Sequence, residues 1–127
     1  MSKTCNVGVI GYGWAATAHI EAINNTDQGK VTAVYSSRPL DPDTLSQAHG
    51  GEIKVYNKVE DLLADDSIDV VDITSYPARH KEQAIAAAEA GKQVILEKPI
   101  TLNPADAEEI KVAFEKNKTK SCVCFEL

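Results

Sequence analysis

With 127 residues, 43% of them hydrophobic and 25% charged, the chain has the size and make-up of one globular domain with a real core. A net charge of −6 argues against a general nucleic-acid surface. No apolar run approaches membrane-spanning length, and no charged-then-apolar leader opens the chain, so no membrane partner and a cytoplasmic location are expected. Cys5, Cys122 and Cys124 do not suggest a disulfide framework. The last two stand two apart in an expected strand. That spacing strains a disulfide and brings no second ligand pair for zinc, so buried thiols and no metal are expected.

The chain opens with a short apolar run, Val7-Gly8-Val9-Ile10, suited to a buried parallel strand. Gly11-Tyr12-Gly13-Trp14-Ala15-Ala16 follows and fits G-x-G-x-x-G/A. A helix-periodic segment comes next, with Ala15, Ala18, Ala22 and Ile23 on one side. Each small residue has a physical role in such a turn. Gly11 allows a tight bend, Gly13 lets backbone approach a pyrophosphate, and Ala16 keeps the helix close to the strand. The helix N-terminus offers free N–H groups and a positive dipole end to phosphates. Strand, glycine turn and helix in that order point to dinucleotide binding; the plainer alternative is a turn that holds no ligand.

A second strand is predicted over Lys30–Tyr35, ending at Ser36-Ser37-Arg38-Pro39. Asp41-Pro42 starts a helix, with an acidic cap and an early proline, that runs to His49 and stops at Gly50-Gly51. Ile53–Tyr56 reads as a third strand, Val59–Leu63 as a brief helix, and Val70–Thr74 as a fourth, near-continuously apolar strand. The alanine-rich segment Ala78–Ala90 is a helix closed by Gly91, and Gln93–Leu96 is a fifth strand. Asn103-Pro104 caps and opens a last helix with Ala107, Ile110 and Phe114 on its apolar side. Ser121–Leu127 completes the set as a sixth strand.

Strict alternation of strand and helix predicts an α/β, Rossmann-type, doubly wound parallel sheet of six strands in order 3-2-1-4-5-6, with helices on both faces. Chemistry then belongs at the carboxyl ends of the strands, near the switch point between strands one and four. The unusual residues sit there, at Gly11–Gly13, Ser36–Arg38, Thr74–His80 and Glu97–Pro99. A carboxylate at the end of strand two would bind the adenosine ribose of NAD. Ser36, Ser37 and Arg38 instead offer hydroxyls and a guanidinium, which suit the 2′-phosphate of NADP. NADP is the expected cofactor and NAD the alternative; a solvated turn before Pro39 is the plainer reading.

Four stretches together resemble one family: GVIGYGWAATAH, the serine-rich end of strand two, DITSYPARH with its alanine-rich helix, and AGKQVILEKPIT. The chain resembles, over nearly its whole length, the nucleotide-binding domain of the glucose-fructose oxidoreductase, inositol dehydrogenase and rhizopine-catabolism (Gfo/Idh/MocA) family. The resemblance implies an NAD(P)-dependent oxidoreductase of the alcohol-oxidising class, acting on sugars or polyols. It implies a dinucleotide site drawn from Gly11, Tyr12, Gly13, Trp14, Ala15, Ser36, Ser37, Arg38, Thr74, Ser75, Tyr76, His80, Glu97 and Lys98, with Lys98 as the catalytic residue. The lysine would contact the substrate hydroxyl, either as acid or base at a lowered pKa or as a simple donor. Glu97 would orient the loop or the carboxamide end of the cofactor, and Pro99 would fix the backbone, with a cis bond to Lys98 open to it.

The fourth strand departs from the family's Thr-Pro pattern. Ser75 stands at the threonine position and Tyr76 at the proline, which makes Tyr76 a wall beside the cofactor. His80 matches the family histidine and is expected to hold loop backbone rather than move protons. His19 also matches a family position and is read as a packed helix histidine; His49 is read as a surface residue. By the resemblance, residues 1–127 are the nucleotide domain alone and the family's C-terminal substrate domain is absent. On that expectation the chain is a truncated product, a proteolytic fragment or a degenerate gene product. It binds dinucleotide weakly, does not turn over substrate alone, and self-associates through its uncovered face. A sugar or polyol would bind only with the missing domain supplied. The alternative from another functional class is a dinucleotide-binding sensor that acts through protein contacts.

Overall fold

Apolar strands and helices in strict alternation have one economical arrangement, parallel strands side by side with right-handed helical crossovers. The computed structural model describes residues 4–98 and 103–124. Its strands are β1 (Cys5–Ile10), β2 (Gly29–Tyr35), β3 (Lys54–Tyr56), β4 (Val70–Ile73), β5 (Gln93–Glu97) and β6 (Ser121–Cys124). They form one sheet in the order β3-β2-β1-β4-β5-β6, and every neighbouring pair is parallel. The helices between them are α1 (Trp14–Asn24), α2 (Pro42–His49), α3 (Val59–Leu63), α4 (Pro77–Glu89) and α5 (Pro104–Asn117).

The two faces of the sheet bury different helices. Val7 and Val9 of β1, with Val31 and Val34 of β2, pack on Ala16 and Ile20 of α1 and Leu45 of α2. A register shift between Val7 and Gly8 explains why Val31 and Val34, three apart, share that face. On the other face Ile10, Val71, Ile73, Val94 and Leu96 meet Leu62 and Leu63 of α3, Ala84, Ala87 and Ala88 of α4, and Ile110 and Phe114 of α5. Each fully buried valine, leucine or isoleucine contributes about 1.5–3 kcal/mol over exposure.

Local chemistry sets the helix ends. Asp41 accepts from Asp43 N at 3.2 Å and from Thr44 Oγ1 at 2.7 Å, with Pro42 in the first helical turn of α2. Asn103 does the same for α5, accepting from Asp106 N at 2.9 Å ahead of Pro104. Helix α4 starts one residue earlier than the alanine pattern indicates, because Pro77 suits a first helical position whose N–H would be unpaired anyway.

One expected face is wrong. The buried side of α1 is Ala16 and Ile20, with Ile23 partly covered, whereas Ala18 and Ala22 are exposed. Alanines stand all round this helix and carry little burial energy, so the branched Ile20 decides which side turns inward. The extension of β6 to Leu127 and the Pro99 backbone lie outside the described residues, as do the side chains of Cys122 and Cys124; Cys5 is a free thiol. No helix among the described residues is long and apolar enough to cross a membrane.

Candidate functional site: the cleft at the carboxyl ends of the strands

Strand β1 pairs with β2 on one side and β4 on the other, so the chain connections leave in opposite directions above it. A crevice opens there, as in other sheets of this topology. It is a cleft of about 1090 Å³, lined by Gly11–Ala15 after β1, Tyr35 at the end of β2 and Ser36–Arg38 after it, Asn57–Glu60 after β3, Thr74–Tyr76 after β4, one side of α4 from Arg79 to Ala86, and Glu97 at the end of β5.

The glycine turn is built for close approach. Gly11 has φ +94°, and a Cβ placed on it would lie 2.9 Å from Ser75 Cα and N. Any side chain there would be strained twice, by the left-handed backbone and by the β4 loop. Thr74 fastens the two loops, its Oγ1 donating to Gly11 O at 2.6 Å and its N–H to Ile10 O at 2.9 Å. At Gly13 a Cβ would meet nothing within 4 Å, so the missing side chain leaves open space against the backbone. Gly13 is the N-cap of α1 with no side chain capping it, and the first turn carries no acidic residue. The helix therefore presents unpaired N–H groups and an uncompensated positive dipole end to the cleft. That is the donor set a pyrophosphate needs.

The end of β2 folds over the turn. Arg38 Nη2 donates to Tyr12 O at 2.6 Å, and Arg38 N donates to the buried Ser36 Oγ at 3.2 Å. Tyr12 in turn reaches α2, its hydroxyl 2.9 Å from His49 Nε2. His49 is thus a partly buried partner of the cleft wall and not the plain surface residue expected, because the tyrosine ring brings a polar tip to it. Lys58 adds a second cation on this side. Trp14 and Tyr76, 78% and 83% exposed, flank the opening as large apolar rings.

Every expected site residue lines this cleft except His80 and Lys98. His80 is buried beneath it, and its Nε2 donates to Ser75 O at 3.0 Å. That bond holds loop backbone, and Ser75 Oγ is held from the other side by Gln83 Oε1. Lys98 is exposed beyond the last residue of β5. Asn57 and Lys58 enter the lining from the turn after β3, and Arg79, Glu82 and Gln83 from α4, at positions that carry no motif in the sequence.

His19 differs from expectation too. This residue is not simply packed. Its Nδ1 lies 2.8 Å from Asp72 Oδ2 in β4, and its Nε2 lies 2.6 Å from Glu97 Oε2 in β5. Asp72 is fully buried and Glu97 nearly so. The first contact is a hydrogen bond. The second is a short ion pair that lacks hydrogen-bond alignment and leaves Oε2 unsatisfied, as is Asp72 Oδ1. The hydrogen bond to Asp72, aided by the charges of Asp72 and Glu97 and opposed by burial, raises the His19 pKa from 6.5 to about 9. The clue in the sequence was Asp72, a carboxylate inside the apolar run Val70–Ile73, since a buried carboxylate demands a partner. No cluster of metal-ligand type occurs among the described residues.

This combination of strand order, glycine turn and cleft agrees with sequence comparison. A family model described as an oxidoreductase family, NAD-binding Rossmann fold, matches residues 5–125. The chain belongs to the Gfo/Idh/MocA oxidoreductase family. Inositol 2-dehydrogenase of Salmonella typhimurium is 32% identical over 115 residues, covering 90% of this chain and 34% of that protein. The apo scyllo-inositol dehydrogenase of Lactobacillus casei superposes with a TM-score of 0.86 at 28% identity, over 97% of this chain and 37% of the other. A 3-ketoreductase from Actinomadura kijaniata, solved with TDP-benzene and NADP, gives the same TM-score and identity over 95% of this chain and 37% of the other. This chain therefore spans about a third of the length of the Gfo/Idh/MocA proteins it matches.

Proposed function

We propose that the chain holds NADP(H) in the cleft, as the dinucleotide-binding part of an oxidoreductase acting on a sugar or polyol. The observation that carries the reading is the pairing of the open Gly13 backbone at the uncapped start of α1 with a β2 end that bears no carboxylate. The pyrophosphate would lie against the N–H groups of Trp14 and Ala15. The adenosine 2′-phosphate would lie among Ser36, Ser37 and Arg38, where a fixed carboxylate would repel it. Tyr76 and Thr74 would wall the nicotinamide side, with Glu97 at its edge and Lys98 beyond, as donor to a substrate oxygen. When bound, the dinucleotide supplies the hydride chemistry; the residues here bind it, orient it and set the local field. The inositol dehydrogenases among the relatives support the polyol class, and the NADP-bound ketoreductase supports the phosphorylated cofactor.

Calorimetric titration of the wild-type chain and Arg38→Ala with NADP and NAD tests this. NADP should bind more tightly, and the substitution should weaken NADP about tenfold while sparing NAD, the loss expected for one charge-assisted contact. No binding of either nucleotide to the wild type overturns the site; tighter NAD overturns the cofactor choice.

A further inference from the structure

We propose that His19 is a positioning residue of the dinucleotide site: its imidazolium ties Asp72 to Glu97 and holds the Glu97 carboxylate in place in the cleft lining. The inference rests on the cleft being the dinucleotide site.

Geometry favours the charged ring. Each ring nitrogen of His19 faces a carboxylate oxygen, at 2.8 Å and 2.6 Å. Carboxylate oxygens accept, so a ring with hydrogen on both nitrogens suits both neighbours, Asp72 through the hydrogen bond and Glu97 through the ion pair. A neutral ring would turn a lone pair toward one of the two carboxylates and release it. Asp72 Oδ1 has no hydrogen-bond partner, and Glu97 Oε2 has only the ion-pair contact with His19. Among the described residues no other cation lies within ion-pair distance of Glu97.

Position makes the clamp relevant to binding. His19 stands on α1, the helix whose first turn faces the cleft, and Glu97 is the last residue of β5 and part of the cleft wall. The ring therefore joins the phosphate end of the site to the strand end opposite. Its surroundings leave few competitors for the proton. β4 contributes Asp72 and β5 contributes Glu97, the charges that act on it. β1 and β2 face α1 with valines, and the α2 histidine, His49, is turned to the Tyr12 hydroxyl. The raised His19 pKa, about 9, agrees with a ring that stays charged in neutral solution.

The test uses the full chain and NADPH, followed through the fluorescence of Trp14, the single tryptophan and itself in the cleft lining. Affinity is measured from about pH 7 to about pH 10, with circular dichroism confirming the fold at each point and the His19 ring titrated by NMR. Wild-type affinity should hold near neutrality and fall about tenfold as the ring deprotonates. His19→Gln should be about tenfold weaker at neutral pH and should lack that alkaline step. His19→Lys, which keeps a cation, should restore neutral-pH affinity and move the step to higher pH. If His19→Gln is too unstable to assay, the wild-type step must still coincide with the ring's own titration. Absence of that coincidence overturns the proposal, as does a His19→Gln profile parallel to wild type at equal affinity. Failure of the wild type to bind NADPH at neutral pH is a different result and overturns the dinucleotide reading itself.

Discussion

Two charged clusters, one in the turn before β4 and one beside the cleft, are satisfied to opposite degrees. In the turn between α3 and β4, the half-buried Asp65 is fully employed. Tyr56 Oη donates to it at 2.6 Å, Ser67 donates from both its N and Oγ, and Lys54 Nζ lies at 4.0 Å. Nearby, the buried Lys92 ammonium donates to the carbonyls of Asp65 and Ile68 at 2.9 and 2.7 Å. At the carboxyl ends, Asp72 and Glu97 share one imidazole and each keeps an unsatisfied oxygen. The other buried side-chain atoms without partners among the described residues are the hydroxyls of Thr32 and Thr119, which cost far less than a carboxylate. A satisfied network fixes a turn and asks nothing more. An under-satisfied one beside a cleft holds its charge for something else, as sites that break local rules tend to do.

Removing the cation should break that contrast most severely. His19→Leu would leave two buried carboxylates facing each other without a counter-charge, and losing one partner of a buried pair typically costs about 3–5 kcal/mol. Urea unfolding near neutral pH should show a loss of this order. The deficit should narrow in acid, where the carboxylates of the variant protonate. A loss below about 1 kcal/mol would mean that the cluster is no more than an exposed ion pair.

The wild type offers a gentler version of the same cut. The folded-state pKa of His19 lies above its ordinary value of 6.5, at about 9. The stability it contributes is therefore complete below about pH 6.5 and is lost as pH rises through about 9. The contribution at neutral pH should be on the order of 2–3 kcal/mol. Thermal melts taken from neutral to alkaline pH should fall across that window, and His19→Gln should flatten the fall.

The fold was legible because its signals are local and repeated. The glycine turn, the Asp41-Pro42 and Asn103-Pro104 helix starts, and the apolar strands each state a boundary in a few residues, and the structure places an element at every one. The cleft was legible for a related reason: parallel topology sends the carboxyl ends of all strands to one edge, so residues far apart in sequence must gather there. Contacts between elements were less legible. The face of α1 depends on one isoleucine among interchangeable alanines. The pairing of His19 with Asp72 and Glu97 spans 53 residues or more and depends on which side of the sheet β4 and β5 present to α1. Period-two alternation could have placed Asp72 on that side once the strand order was granted, and its burial alone required a partner. Lys58 and Arg79 enter the cleft from loop and helix positions that leave no mark in the sequence.

The smallest expected effect lies in the Asp65 cluster and sharpens the contrast from there. Tyr56→Phe removes one hydrogen bond to Asp65 and leaves the serine contacts in place. A hydrogen bond to a charged group is worth about 1–2 kcal/mol when other donors remain, so stability should fall by roughly that amount. Asp65 titrates at about 2, held below the ordinary 3.8 chiefly by the Ser67 hydroxyl and then by Tyr56. Its stabilising contribution is present above about pH 4 and is lost as pH falls through about 2. Without the tyrosine hydroxyl that acid loss should begin at higher pH, while the alkaline fall governed by His19 stays where it is. Dinucleotide affinity should not change, because Tyr56 and Asp65 are absent from the cleft lining. A Tyr56→Phe chain that lost affinity, or whose alkaline limb shifted, would show that the two clusters are coupled and that the division of labour between them is wrong.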